Sequence, residues 1–528
     1  MTMRQAKSAV LSILLAFLTG AAGAHAQTPS AAAAPSAGGA PVALLDVVKT
    51  TLRLHPGIAA ARAQLAQRSA EADGARARFD GRFTSQLAHD HDVSPVLPPN
   101  RVFGERAIIT DTTDLSVGAS LATLWGTSIA PSAGLTRLHQ RAQDATSPGY
   151  PGDPSQHAHV GLKVVQPLLR GAGTVGAASG IEEGRLFRSA AVHTVAQTAQ
   201  ERVLAALSAY FQLVAVNQQL GLLEATRAGA QKLVDETKVL VASDQRPRSD
   251  LRQLEANLAN RVRAVTEAEN QRVQSVYELG LAMGLDARQT LDFRPTSGFP
   301  KLVPGLDREG AVRQAQQSRN DVQAARTVLA AAAAELKGAE HNTAPALDLG
   351  ASVGYAGALD QDGIDAFFAS SARNVRGVNA GVSLSLELPF SNTAANAERD
   401  VKRAQYEQAR IAAADLDRAL PIAVTQASED LRLSSSALSA ATEAVTQYEQ
   451  VVADQRDKLR AGVGTVIDMI LTEELLISAQ QNQTANQLRC ALALTRLLFE
   501  TGALPSKEAD AAGVAARLGE PGAANAGQ

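Results

Sequence analysis

The densest group of metal-binding residue types in the chain is His89-Asp90-His91-Asp92, two imidazoles and two carboxylates within four residues. Both groups are common zinc donors, so the segment has the composition of a cation site. On an extended strand, however, side chains alternate, and His89 and His91 would share one face while Asp90 and Asp92 point away. A solvated loop is the simpler reading, and neither a metal nor a cofactor is expected. Cys490 is the single cysteine. It cannot form an internal disulfide, lies far from where a lipid anchor would be attached, and sits in a helical stretch as a small core residue. No nucleophile triad, phosphate loop or acid and base pair is present, and the scattered His and Ser residues converge nowhere, so an enzyme is not expected.

The elements that could position a function are more informative. Hydrophobic residues make up 45% of the chain but aromatic ones only 4%, much of the remainder being alanine. That balance suits long, closely packed helices better than one thick globular core. Residues 1–26 read as a secretory signal peptide, with Arg4 and Lys7 ahead of the apolar run Ala9 to Leu18 and Ala24-His25-Ala26 as the cleavage site. Beyond it no run of eighteen apolar residues free of charge occurs, so crossing a membrane would fall to strands. Without the two basic residues of that segment, 48 Lys and Arg face 53 Asp and Glu, which gives no reason for a nucleic-acid partner.

The sequence is written twice. His55 to Leu65 matches Arg319 to Leu329 at a shift of 264, Val160 to Leu168 matches Val382 to Phe390 at 222, and Asp250 to Leu258 matches Asp468 to Leu476 at 218. The falling shift places about forty extra residues in the first copy, within 84–158. The expected order is a flexible linker at 27–41, a first repeat at 42–292, a connector at 293–306, a second repeat at 307–504 and a disordered tail at 505–528. Each repeat reads helix, strands, very long helix, reversal, helix. Strands are expected within 83–167 and 346–389, and long helices over 177–243 and 394–461. Such helices are roughly 100 Å long at about 1.5 Å per residue.

In the second long helix Val424, Leu431, Leu438, Val445, Val452 and Leu459 recur every seven residues, with Leu420, Ala427, Ser434, Ala441, Tyr448 and Gln455 four residues before each. The same frame moved back by 218 gives Ala206, Leu213, Leu220, Arg227, Val234 and Val241. Both helices are therefore expected in coiled-coil packing. Pro421 lies inside the second and predicts a kink without a break. Val378, Ala380, Val382, Leu384, Leu386 and Leu388 alternate with Asn379, Gly381, Ser383, Ser385 and Glu387, the period of a barrel strand with one lipid face and one wet face. Leu347 to Tyr355 and Val160 to Val164 repeat the pattern, and Leu115 to Leu121 and Gly126 to Leu135 are further candidates, with Trp125 and Tyr150 as interfacial aromatics. Two or four strands cannot hide their edges in lipid, so several chains must share one barrel.

These pieces resemble the TolC-like family of outer membrane factors over roughly Leu44 to Leu504. The resemblance is carried by His55-Pro56 with its Ala-rich helix, Val165-Gln166-Pro167-Leu168-Leu169-Arg170-Gly171, Ala209-Tyr210-Phe211-Gln212-Leu213, and Arg460 to Asp468 followed by Glu473 and Leu497 to Leu504. It implies a mainly α protein with a β-barrel part: a homotrimer whose α-helical barrel reaches into the periplasm and whose shared transmembrane β-barrel crosses the bacterial outer membrane. The implied function is the duct of a tripartite efflux or type I secretion system, passively conducting substrates outward when a periplasmic adaptor (membrane fusion) protein and an inner-membrane pump engage it. The reversals at 243–249 and 461–467 would form the periplasmic tip. Asp250 and Asp468, with Gly462 and Gly464, match gate positions, and Ser249, Arg460, Thr465 and Val466 match adaptor contacts.

Three carboxylates around one narrow axis would repel one another and attract cations. The local alternative for Asp468 is stabilisation of a helix N-terminus by about 0.3–1 kcal/mol. Arg456, Lys458 and Arg460 fit an adaptor contact and a solvated helix end equally well. Two departures from the family stand out: the first tip loop, Asp244 to Ser249, has no glycine, and Gly464 stands where some members carry a gate-locking arginine. The extra residues of the first copy suggest an added hairpin or an enlarged extracellular loop, hence more than the usual four strands per chain. The rival reading is an exported coiled-coil structural protein or adhesin stalk, which would have no use for duplicated strands ending at Pro167 and Pro389.

Overall fold

The computed structural model describes residues 41–518 apart from 99, 102–103, 145–154, 291–292, 301–306, 360–374 and 462. The signal peptide, most of the linker, Tyr150, Gly462 and residues 519–528 lie outside the described residues.

The first repeat opens with β1 (Pro41–Val42), α1 (Leu44–Leu54) and α2 (Pro56–Ala77), continues through β2 (Arg82–Pro95), β3 (Ala107–Ala122), β4 (Ser128–Gln143) and β5 (Ser155–Pro167), and then forms α3 (Gly173–Ala242) and α4 (Arg248–Met283). After β6 (Arg294–Pro295), the second repeat runs α5 (Arg308–Ser318), α6 (Asn320–Asn342), β7 (Ala346–Leu359), β8 (Val375–Glu387), α7 (Thr393–Arg460) and α8 (Val466–Glu500). The long helices have 70 and 68 residues. At about 1.5 Å per residue each exceeds 100 Å. Helix α7 runs unbroken through Pro421.

The short helices cover the two ends of the long ones. Toward the sheet, α2 packs on α3, and α6 lies between α3 and α7. At the far end α4 folds back along α3, while α8 lies against both α7 and α3. The heptad seam expected in α7 is inward: Leu420, Val424, Ala427, Ser434, Val445 and Val452 are buried. In α3 the matching frame buries Ala206, Leu213 and Val234 but leaves Arg227 exposed, so the copied register fails at that turn. Charge decides there, because burying an unpaired guanidinium costs far more than one seam contact returns.

The largest core forms a waist halfway along the helices. Val203, Leu207, Tyr210 and Phe211 of α3 meet Leu44, Val47, Val48 and Leu52 of α1, Leu279 of α4 and Ala491 of α8. Each fully buried side chain of this size contributes about 1.5–3 kcal/mol. One window of α3 is apolar enough to pass as a membrane helix, a reading the sequence did not suggest, but half of that window is buried within the protein. Gly284 ends α4 with φ 80°, and a Cβ there would stand 2.6 Å from the His55 Cα, so the first repeat closes on itself through a glycine.

The tail corrects the sequence reading. Residues 505–528 were expected to be disordered, yet a short α9 (Ala511–Arg517) seats Ala511, Val514, Ala515 and Leu518 in the waist core against α1. Three small or β-branched apolar residues at helical spacing bury well on a neighbouring helix despite a composition that resembles a loop.

Among the described residues, all eight sheet-forming segments except β1 and β6, which pair with each other, lie in one antiparallel sheet of six strands in the order β2-β3-β4-β5-β7-β8. The extra residues of the first copy are therefore a hairpin, β3–β4, inserted between β2 and β5. The β3–β4 ladder pairs Gly118 with Ser132 and resumes at Leu121 with Ile129. The gap falls at Pro131, which has no N–H to donate.

Candidate functional site: the two-faced sheet and the helical tip

Strand register sorts every side chain of the sheet onto one of two faces. One cross-strand row reads Ser85, Val117, Ala133, Val160, Tyr355 and Val378, and another reads Leu121, Ile129, Val164, Ala351 and Val382. The row between them on the opposite face reads Thr84, Gly118, Ser132, Gly161, Gly354 and Asn379. In these rows one face is apolar but for Ser85, and the other carries Gly, Ser, Thr and an amide, with Lys163, Asp348 and Glu387 on the same side nearby. Apart from the outer end, where Ala107, Gln156 and Ala158 are buried, the apolar face is open, and Val382 is 80% exposed. A soluble sheet would bury its apolar face on a core.

His89 and His91 fall on the apolar side's outer end, as alternation predicts, and Asp90 and Asp92 on the other. His89 Nδ1 lies 2.9 Å from Thr113 Oγ1, His91 Nδ1 lies 2.5 Å from Asp111 Oδ1, and Arg141 pairs with the other Asp111 oxygen at 2.9 Å. The imidazoles are spent on cross-strand bonds, and among the described residues no cluster of three ligand-type side chains is placed to hold a metal. The loop reading of His89 to Asp92 is corrected: they lie inside β2, where the imidazoles bond across the ladder instead of to solvent.

The β3–β4 turn is tied to the sheet–helix junction. Thr123 and Thr127 close it through a backbone bond of 2.8 Å, the Trp125 carbonyl accepts from the Gly173 N–H at 3.0 Å, and Thr127 Oγ1 donates to Gln166 Oε1. Gly126 has φ 90°, and a Cβ there would stand 2.3 Å from the Gly171 carbonyl oxygen, so only glycine fits. Trp125 is 69% exposed at this level, where an interfacial aromatic was expected.

At the other end of the helices the two reversals meet. Val234, Leu254 and Val466 form a small buried cluster with Leu233, Leu251, Leu459 and Ile470 packed around it. In the first reversal Asp244 adopts φ 55°, and the Gln245 N–H reaches back to the Leu240 carbonyl at 2.9 Å, so an aspartate takes the left-handed position that glycine usually fills. Asp250 Oδ2 lies 3.6 Å from Arg246 Nη1, and Ser249 Oγ is 3.4 Å from the other oxygen. In the second reversal the Lys458 carbonyl accepts from both Val463 and Gly464 N–H at 3.1 Å. Thr465 then caps α8: its Oγ1 accepts from the Asp468 N–H at 3.1 Å and donates to Asp468 Oδ2 at 2.6 Å.

The tip thus brings Ser249, Asp250, Thr465 and Asp468 into neighbouring turns, each carboxylate with a partner of its own. Val466 is a correction: it is 6% exposed inside the cluster and offers no surface to an adaptor, whereas Val463 and Ile467 on either side are exposed. Arg246, four residues ahead of Asp250, is the residue the sequence reading passed over.

Residues 311–503 match the family described as outer membrane efflux protein. Protein CyaE of Bordetella pertussis is 27% identical over 251 residues, 45% of this chain and 49% of that protein. The chain therefore spans about half the length of the curated relative it matches. Solved structures agree in fold along nearly the whole chain. The outer membrane protein VceC of Vibrio cholerae superposes with a TM-score of 0.61 at 16% identity, covering 87% of this chain and 96% of that one. The CmeC outer membrane channel of Campylobacter jejuni gives 0.63 at 11%, covering 90% and 89%, and the open MtrE channel of Neisseria gonorrhoeae gives 0.60 at 14%, covering 88% and 90%.

Proposed function

We propose, for a chain of TolC-like fold whose residues 311–503 match the outer membrane efflux protein family, that it is one subunit of a trimeric duct through the outer membrane. The observation that carries this reading is the uncovered two-faced sheet on helices over 100 Å long. In lipid the apolar face gains burial, and the Gly, Ser and Thr face lines water.

The edge strands β2 and β8 leave rows of N–H and C=O groups unpaired within one chain, and lipid does not tolerate open edges. Strand directions alternate across the sheet, with β2 leaving α2 and β8 returning to α7. The β8 edge of one copy therefore meets the β2 edge of the next in antiparallel sense. The exposed stripe Ile467, Leu471 and Leu475 on α8 gives neighbouring copies an apolar seam lower down.

Conduction is passive, and an inner-membrane pump and a periplasmic adaptor supply energy and opening. The gate lies at the tip, with Asp250, Asp468 and Gly464 as its residues, and Ser249 and Thr465 meet the adaptor. Membrane fractionation with native mass measurement tests the reading. Recovery of heat-modifiable trimers from the outer membrane is expected, and a soluble monomer would overturn it.

A further inference from the structure

We infer that the β3–β4 hairpin is a full member of the shared barrel, so that three copies close eighteen strands and the exit is wide enough for cargo about 25 Å across. This rests on the trimeric duct proposed above.

Three observations place the hairpin in the wall. Its outward residues Leu115, Val117, Ile129 and Ala133 continue the apolar rows of the other strands without a step. It lies inside the sheet, paired along β2 on one side and β5 on the other, so the wall cannot close around it unless β2 leaves β3. Its inner turn is keyed to the start of α3 by Gly126 against Gly171 and by the bond from Gly173 N–H to the Trp125 carbonyl.

The arithmetic of the junction agrees. Strands about 4.8 Å apart and tilted by about 40° each occupy about 6.3 Å of circumference. Six of them take about 38 Å per copy, close to the ~32–40 Å of four helices packed at about 8–10 Å. The four helices beneath the sheet are α2, α3, α6 and α7, in the same order as the strands they join. Four strands would take only about 25 Å per copy.

Closed threefold, eighteen strands give a backbone diameter of about 36 Å against about 24 Å for twelve. Allowing about 5 Å for side chains on each wall leaves a bore of about 26 Å against about 14 Å.

Electron cryo-microscopy of the full chain in lipid nanodiscs reads the strand count directly. Neutral polyethylene glycol of about 10 Å hydrodynamic radius, added on the outer side of a planar bilayer, reads the bore. Eighteen strands, with the polymer entering and lowering the conductance, are expected. A trimeric barrel of twelve strands that excludes the polymer would overturn the inference and leave the duct standing. Absence of any trimeric barrel would overturn both.

Discussion

His55 and Arg319, 264 positions apart, occupy the same break between two helices. His55 ends α1 and starts α2 at φ −64°, ψ 123°, and Arg319 ends α5 and starts α6 at φ −68°, ψ 126°. The duplicated backbone is kept while the chemistry diverges. His55 Nδ1 accepts from the Gly57 N–H at 3.0 Å and so caps α2 as a neutral ring, and burial, helped by Arg202, holds its pKa below the usual histidine value. Arg319 binds Glu500 and Asp321 and lies over the Phe499 ring.

Arg319→Ala should be the more damaging of the two changes. Glu500 is 2% exposed and would keep only Arg496, at 2.5 Å, so a loss of about 3 kcal/mol is expected. His55→Ala removes one cap, worth about 1 kcal/mol. Thermal unfolding of the two variants in detergent should rank them in that order.

The faces of the sheet predict an asymmetry between two residues of one strand. Val382→Arg puts a charge on the lipid side and should cost about 2–4 kcal/mol, whereas Ser385→Arg faces water and should cost little. Heat-modifiable folding into lipid vesicles reads both, and equal tolerance would contradict the assignment of faces.

A pH effect belongs to the helices below the sheet. Burial first, then the neighbouring Glu335 carboxyl, raises Glu183 to about 7, while Lys402 binds Glu335 at 3.2 Å. A carboxyl whose folded pKa is raised holds more protons when folded, so stability falls as pH climbs from about 4.5 to 7 and is level above. Glu183→Gln should flatten that slope and raise the melting temperature at pH 8. The depressed His55 pKa gives a slope of opposite sign, so the difference between variant and parent is the quantity to read.

At the tip, Thr465→Ala removes both bonds to Asp468 and should destabilise the start of α8 by about 1 kcal/mol. The freed carboxylate should also strengthen divalent-cation block of the channel. Unchanged block would leave Asp468 a purely local cap.

The long helices, the duplication and the alternating strands were legible because each rests on a periodic pattern that survives without knowledge of partners. Strand β2 was not, since His89 and His91 satisfy their polarity across the ladder with Thr113 and Asp111, residues twenty or more positions away. The Arg319–Glu500 pair spans 181 positions and leaves no local signal. Arg246 was visible in the tip loop, but only the helical turn that carries it toward Asp250 gives it meaning. The helix at Ala511–Arg517 was hidden by its alanines, which look like a loop until a helix is beside them.

The central claim is that water crosses the membrane through a wall no single copy can close. Purified protein reconstituted in a planar bilayer tests it most directly by single-channel recording. The account predicts discrete, long-lived ionic conductance steps from trimers. Silent bilayers, with the protein recovered as a folded soluble monomer, would contradict it.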